Sequence, residues 1–589
     1  MCDTLYPGIF QRPKPVLPSV IRNSLTHLSP VALAVLCAGL IAGEAAFARG
    51  AEKREAPTGL ATPEANAQYH VLAGELAAAR HMPAMAADEF LKASMLVADP
   101  QLAARATGLA LSANDETLAL TAAKRWLEVE PTSLESREVI TLLSVRKGFL
   151  SEAYEQCVAI VRDHPGGEAD GFRHVAMLLA PESAHGEAIL ALMQKLVEQW
   201  PQLAGAHYAL GLVALRFSQL PLAEKAARES LRLKPGSAEA QMLLAGVQVK
   251  KGELDAADQT MEGVLHSAPN PTELRMGYAR LLLESQQRDR ARKQLQIILS
   301  AEPGNADAHF GLGLLALEDQ KLDEASVHFK TLAAKGDRQN EAAYYLGRIE
   351  ETQNHPDQAL VWYEKVTGGN QAIDAAVRAV LMLGKLKKVD QARAELDELR
   401  QQFPSMASQF FAVEGELLLN AGDAEKALDL YSSALNSNVD NADLLYGRSL
   451  ANEKLGHVDL AEADLRRILV TSKDDARAMN ALGYLLTLHS GKLDEAQKLL
   501  GRALELEPDD AAVIDSMGWL QFKLGNLGEA KSLLQKAYGK TPDPEIAAHL
   551  GEVLWTMGDK DEARAVWDEA HHKAPDHEVL KETMDRLGK

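Results

Sequence analysis

A period of 34 residues runs through most of this chain and leaves few folds open to it. Prolines stand at Pro235, Pro269 and Pro303. Alanines keep the same step at Ala223, Ala257, Ala291, Ala325 and Ala359. Small residues keep it again at Gly211, Ala245, Ala279, Gly313 and Gly347. All three markers return near the C-terminus: Gly483, Gly518 and Gly551; Ala496, Ala530 and Ala563; Pro508, Pro542 and Pro575. Such a unit cannot bury its apolar side alone, so copies must stack.

With the first small residue set as position 8, alanine falls at position 20 and proline at position 32. Two helices, A and B, fit this spacing. Positions 8 and 20 lie where they touch, so only Gly, Ala or Ser lets the backbones approach. Large residues at positions 7, 11 and 24 fill the space around them, as Leu312, Phe329 and Trp567 do. Proline near position 32 ends helix B, because it lacks an N–H and disfavours helix in the residue before it. A turn glycine recurs near position 15 (Gly252, Gly422, Gly456, Gly525, Gly558). An acid after the proline can cap the next helix, as in Pro508-Asp-Asp, Pro542-Asp and Pro575-Asp.

This pattern resembles the tetratricopeptide repeat, a helix–turn–helix unit. The resemblance implies an all-α fold, an α-solenoid whose A helices line a concave groove. About eleven repeats fit residues 203–575, one with an extra residue in its turn (His489-Ser-Gly-Lys). Residues 67–202 read as up to four divergent repeats: Ala86, Phe90 and Ala93 match positions 20, 24 and 27, and Gly148, Ala153 and Pro165 match 15, 20 and 32. Residues 576–589 read as a capping helix with Val579, Leu580, Met584 and Leu587 as its apolar stripe.

The first 48 residues read as an address. Arg12, Lys14 and Arg22 precede an apolar run from Pro30 to Gly43, too short for a comfortable membrane span but suited to a secretory signal. Ala46-Phe47-Ala48 supplies the small-x-small pattern of a cleavage site, so the expectation is export to the periplasm with a flexible linker over 49–66. Membrane attachment, inner or outer, would require an uncleaved leader or a lipidated Cys37, and Leu36 before that cysteine makes a poor lipidation site. After cleavage Cys157 stands alone, at packing position 24, which makes it a core thiol rather than a disulfide partner.

Signs of chemistry are sparse. The sequence has no Gly-rich phosphate loop, no Gly-x-Ser-x-Gly elbow and no His-Glu-x-x-His motif. His571, His572 and His577 read as a solvated helix end, and Asp509-Asp510 as helix-start residues. A formal charge of −21 argues against nucleic acid as a partner. The expectation is a non-catalytic scaffold that needs no cofactor and no metal.

Helix A faces the groove through positions 2, 5, 9 and 12. Those positions hold Tyr208, Phe310, Tyr344, Tyr446, Tyr484, Trp519, Phe522 and Trp555, with Arg348, Arg477 and Asp515 among them. Rings give large contact area at low entropic cost, so these residues are the candidates for binding proteins or extended peptides. The runs Ala478-Met-Asn-Ala-Leu-Gly-Tyr484, Leu504-Glu-Leu-Glu-Pro-Asp-Asp-Ala-Ala-Val-Ile-Asp-Ser-Met-Gly-Trp519 and Asp543-Pro-Glu-Ile-Ala-Ala-His-Leu-Gly-Glu-Val-Leu-Trp555 are more specific. They resemble proteobacterial envelope proteins of the LbcA type. That resemblance implies an adaptor bringing peptidoglycan hydrolases to a periplasmic C-terminal processing protease. The alternative reading is an assembly or export scaffold for exopolysaccharide secretion or outer-membrane complexes.

Overall fold

A computed structural model describes residues 62–266 and 271–587. The leader, Cys37 and Pro269 lie outside the described residues. Among these residues every regular element is helical, and no single helix is long and apolar enough to cross a membrane. The chain divides into two compact units, the first ending at Asp319 and the second starting at Gln320. Described residues of the first unit form seven helical hairpins, from Pro63–Ala79 with Pro83–Leu96 to Pro271–Glu284 with Arg288–Ala301, followed by the helix Ala306–Glu318. The second unit opens with Leu322–Lys335, continues through seven hairpins and ends with Glu578–Leu587.

The linker expected through residue 66 stops earlier. Pro63 starts the first helix, and the Thr62 hydroxyl accepts a hydrogen bond from the Ala65 N–H at 3.3 Å. A hydroxyl cap followed by proline is a strong helix start, because proline's fixed φ suits the first turn and its missing N–H is not needed there. Four hairpins then precede Leu203.

Local chemistry explains the hairpin. The B helices Leu220–Leu233, Arg288–Ala301, Leu493–Leu506, Leu527–Lys540 and Lys560–Lys573 each end two residues before the repeat's proline. Asp510 accepts from the Val513 N–H (3.0 Å) and Asp543 from the Glu545 N–H (2.8 Å). Asp509 instead pairs with Lys540, and Asp576 with Lys581, so neither is a cap. Between helices A and B the chain turns through a left-handed residue at nearly every repeat. Gly422, Gly456, Gly525 and Gly558 have φ of 84°, 78°, 86° and 97°, but Asn114, Ser218, Gln286 and Lys387 take φ near 60° at equivalent places. Side-chain bearing residues adopt that region at a cost, which glycine avoids.

At two of the glycines in position 8 a side chain, rather than the partner backbone alone, requires the small residue. A Cβ on Gly551 would stand 1.9 Å from the Trp567 indole nitrogen, and one on Gly347 would stand 2.6 Å from the Tyr363 ring. The side chain at position 24 of the same hairpin occupies that space, so glycine makes room for a ring rather than for a backbone. Cys157, also at position 24, is fully buried, and burial pushes its thiol pKa up to about 12.

Two further details differ from the sequence reading. The extra residue near His489 is absorbed by a π-helical turn, Leu486–Ser490, before Gly491 turns the chain at φ 65°. A π turn holds one more residue than an α turn, so the register of the hairpin is preserved. In the terminal helix Leu580 and Thr583 point inward while Val579 is exposed, so Val579 does not belong to the apolar stripe.

Candidate binding face

The A helices of successive hairpins touch one another. Ala476–Leu485 packs on Ala511–Lys523, which packs on Pro544–Met557. Side chains from three repeats therefore meet on one face. Tyr484 donates its hydroxyl proton to Glu545 (2.9 Å), and the same oxygen lies 3.3 Å from Nε2 of His549. Nδ1 of His549 is 3.0 Å from both carboxylate oxygens of Asp515. The Trp519 indole stacks on the His549 ring at 4.1 Å and contacts Phe522 at 4.9 Å. Burial, reinforced by Glu545, raises the Tyr484 pKa, and burial likewise raises that of Glu453.

Three of the candidates are therefore not surface. Trp519, Asp515 and Tyr344 are 5%, 6% and 8% exposed, because position 5 or 9 of one A helix is covered by the next. Tyr344 donates to Asp374 (2.6 Å) and accepts from Arg348 (3.2 Å), joining neighbouring A helices. These groups fix how consecutive repeats sit, and a guest would touch them only at their edges. Tyr208 is half-buried against Leu243 and Leu244, and burial raises its pKa. Phe310, Tyr446, Tyr484, Phe522 and Trp555 keep part of their surface, and Arg477 is exposed.

Tyr446, Trp519 and Trp555 share a feature that spacing did not reveal: cations from the chain itself lie over them. The Arg477 guanidinium lies 4.5 Å over Tyr446 and also pairs with Asp443 at 2.6 Å. The Lys523 ammonium lies 4.6 Å from the Trp519 ring centre. Lys560 and Arg564 lie 4.7 Å and 5.3 Å from that of Trp555, which stacks on Trp567 at 5.7 Å. Each contact places positive charge over the negative face of a π system. Sequence reasoning also missed His549 and Glu545. Glu545 occupies position 2, one of the groove positions, and His549 occupies position 6, which faces the preceding A helix. Among the described residues no group of three or more His, Cys, Asp or Glu is placed to hold a metal.

Family models and a curated relative identify tetratricopeptide repeats in this chain. One tetratricopeptide repeat model matches residues 278–326 and 412–476, and a second matches 214–281 and 487–548. The TPR repeat-containing protein PA4667 of Pseudomonas aeruginosa is 38% identical over 205 residues, which is 35% of this chain and 35% of that protein. The chain thus spans about a third of the length of the curated relative it matches. A thermophilic TPR protein of Thermus thermophilus is 25% identical, over 30% of this chain and 97% of its own, with a TM-score of 0.29. The Cut9–Hcn1 hetero-tetramer structure covers 90% of this chain and 98% of the matched chain at 14% identity and a TM-score of 0.33. The chain carries tetratricopeptide repeats in both of its units, and arrays of such repeats serve as scaffolds for binding other proteins.

Proposed function

We propose that this chain is an exported adaptor. Its A-helix face in the last hairpins holds protein or extended-peptide segments, and through them it brings peptidoglycan hydrolases to a C-terminal processing protease. The observation that carries the binding role is the set of part-exposed rings Tyr446, Tyr484, Phe522 and Trp555 on successive A helices, backed by the buried pins Asp515, Trp519 and His549. Rigid, partly desolvated rings are what anchor a guest side chain. The leader pattern supports export, and the C-terminal resemblance supports the adaptor role. An adaptor needs no chemistry of its own, since holding two partners together raises their effective concentration.

Reconstitution tests this reading. The purified chain is mixed with a processing protease and a cell-wall hydrolase, and hydrolase cleavage is timed. The expected result is faster cleavage with the chain present, and loss of that gain with Tyr446→Ala/Trp555→Ala. Equal rates with and without the chain, and no complex in solution, would overturn the adaptor role.

A further inference from the structure

Several acids on the A-helix face of the second unit carry an arginine. Asp374 and Glu351 share Arg378, at 2.9 Å and 3.0 Å. Asp443 holds Arg477 at 2.6 Å, and two guanidinium nitrogens of Arg586 grip Glu552. Glu453, Asp515 and Glu545 are answered differently. Among the described residues no Lys or Arg pairs with any of the three; Glu453 has the His489 ring at 3.8 Å, and Asp515 has that of His549 at 3.0 Å. Glu416 also lacks an arginine, but it is exposed.

These three acids stand together. Glu453, Tyr484, Asp515 and Glu545 occupy groove positions 12, 9, 5 and 2 of four successive A helices, so they form a diagonal across the groove. The Tyr484 hydroxyl reaches Glu545 two repeats further on. Burial, and then the charges of Glu545, Asp515 and Glu453, raise the Tyr484 pKa. Burial, with Glu545 adding to it, also holds the Glu453 carboxyl above its usual range, the mark of like charges brought together without a cation. A second observation concerns the ring stacked on His549. Trp519 is 5% exposed and its Nε1 finds no acceptor in the chain; Oδ1 of Asn480, at groove position 5, finds no donor. Buried polar groups are seldom left so in a finished network.

We propose that this diagonal is the subsite for a basic side chain, Lys or Arg, of an extended peptide laid along the A-helix face. The inference rests on the binding role proposed above and names the chemistry of the guest. Glu453 and Glu545 keep part of their surface, so one ammonium or guanidinium group can serve both and remove the repulsion between them. The peptide's own carbonyl and N–H groups supply what Trp519 and Asn480 lack. Among the described residues these acids do not converge as metal ligands do, which suits an organic cation on a flexible stem. The subsite is separate from Trp555, where the chain's own Lys560 supplies the opposite charge. A chain with a formal charge of −21 also draws a basic partner from a distance.

The test titrates the full chain with three fluorescent decapeptides, capped at both ends and differing only in two central residues: Lys, norleucine or Glu. By anisotropy the Lys peptide should bind at least about 10-fold more tightly than the norleucine peptide at low salt, the Glu peptide should bind least, and added salt should narrow the gap. Glu453→Gln/Glu545→Gln keeps an acceptor for Tyr484 and should bring the Lys and norleucine peptides within about 2-fold of each other. Glu453→Gln alone, which disturbs only the His489 contact, should lose part of the preference and keeps the test open should the double variant unfold. Glu529→Gln/Asp568→Asn removes the same charge from B helices and should leave the preference intact. A Lys peptide that binds no more tightly than norleucine would overturn the proposal. If such binding is still lost in Tyr446→Ala/Trp555→Ala, the binding role of the face stands without it. A Lys preference that survives both glutamine variants would overturn it too. Binding of none of the three peptides would overturn this proposal and the peptide-holding role together.

Discussion

The last five hairpins, from Ala407–Asn420 to Lys560–Lys573, differ in their turns from the first-unit hairpin Pro271–Glu284 with Arg288–Ala301, and two of the five also differ from it in what fills the space at position 8. In the last five, every turn between helices A and B is a left-handed glycine: Gly422, Gly456, Gly491, Gly525 and Gly558. In two of them a ring at position 24 presses on glycine at position 8, Tyr431 on Gly415 and Trp567 on Gly551, while Leu500 and Leu534 press on Gly483 and Gly518. In the first unit's hairpin Pro271–Glu284 with Arg288–Ala301 the turn falls on Gln286, and buried Ala279 stands at position 8 with Leu295 at position 24. A ring on glycine and an aliphatic chain on alanine fill similar volume. The first is less forgiving, since its glycine accepts no added carbon and its ring accepts no truncation.

The comparison can be broken most sharply at Gly551. Gly551→Ala should cost about 2–3 kcal/mol by overpacking against Trp567, read as a lowered chemical-denaturation midpoint. Gly551→Ala/Trp567→Leu, which installs the other solution, should recover most of that loss. The corresponding addition in the first unit, Ala279→Val, meets Leu295 rather than a fixed indole and should cost less than the glycine variant. Smaller effects come from the turns. Gly558→Ala should cost about 1–2 kcal/mol for holding a Cβ at positive φ. Gln286→Gly, already at φ 60°, should be neutral or stabilising by up to about 1 kcal/mol in the same assay.

The smallest effect is a pH dependence in the first unit. His174 lies 2.6 Å from Glu138, and that hydrogen bond holds its pKa above the usual 6.5. Its protonated form is favoured by folding, so the contribution is full below pH 6.5 and is lost as pH rises through the higher folded value. Because the pair is partly exposed, the contribution should stay below about 1 kcal/mol. Thermal unfolding of wild type and His174→Gln should therefore differ at pH 6 and converge at pH 9.

The same contrast explains what the sequence made legible. Glycine at the turn and at position 8 leaves a mark in the chain, so the period is plain from Gly483 onwards. The left-handed residues His81 and Asn114 occupy equivalent turns without leaving that mark, and so do Gln286, Gln320 and Asn354 further on, where alanine at position 20 still marks the period. The candidate face was only half readable. Position along helix A located Tyr484, Trp519 and Asp515, but burial depends on how far the next repeat overlaps, and that depends on side chains 34 residues away. The cations over Trp555 escaped notice for a related reason: Lys560 and Arg564 belong to helix B, while the groove positions were sought on helix A.

Those cations set terms for any visitor. Tyr446 and Trp555 are already tenanted, so docking there would be an exchange rather than an addition. An uncharged side chain has to evict Lys560 from Trp555 before it gains the ring. A carboxylate can leave the lysine seated and use it as a handle. On the proposed binding role, the lysine over Trp555 would favour acidic segments although the chain as a whole is strongly acidic.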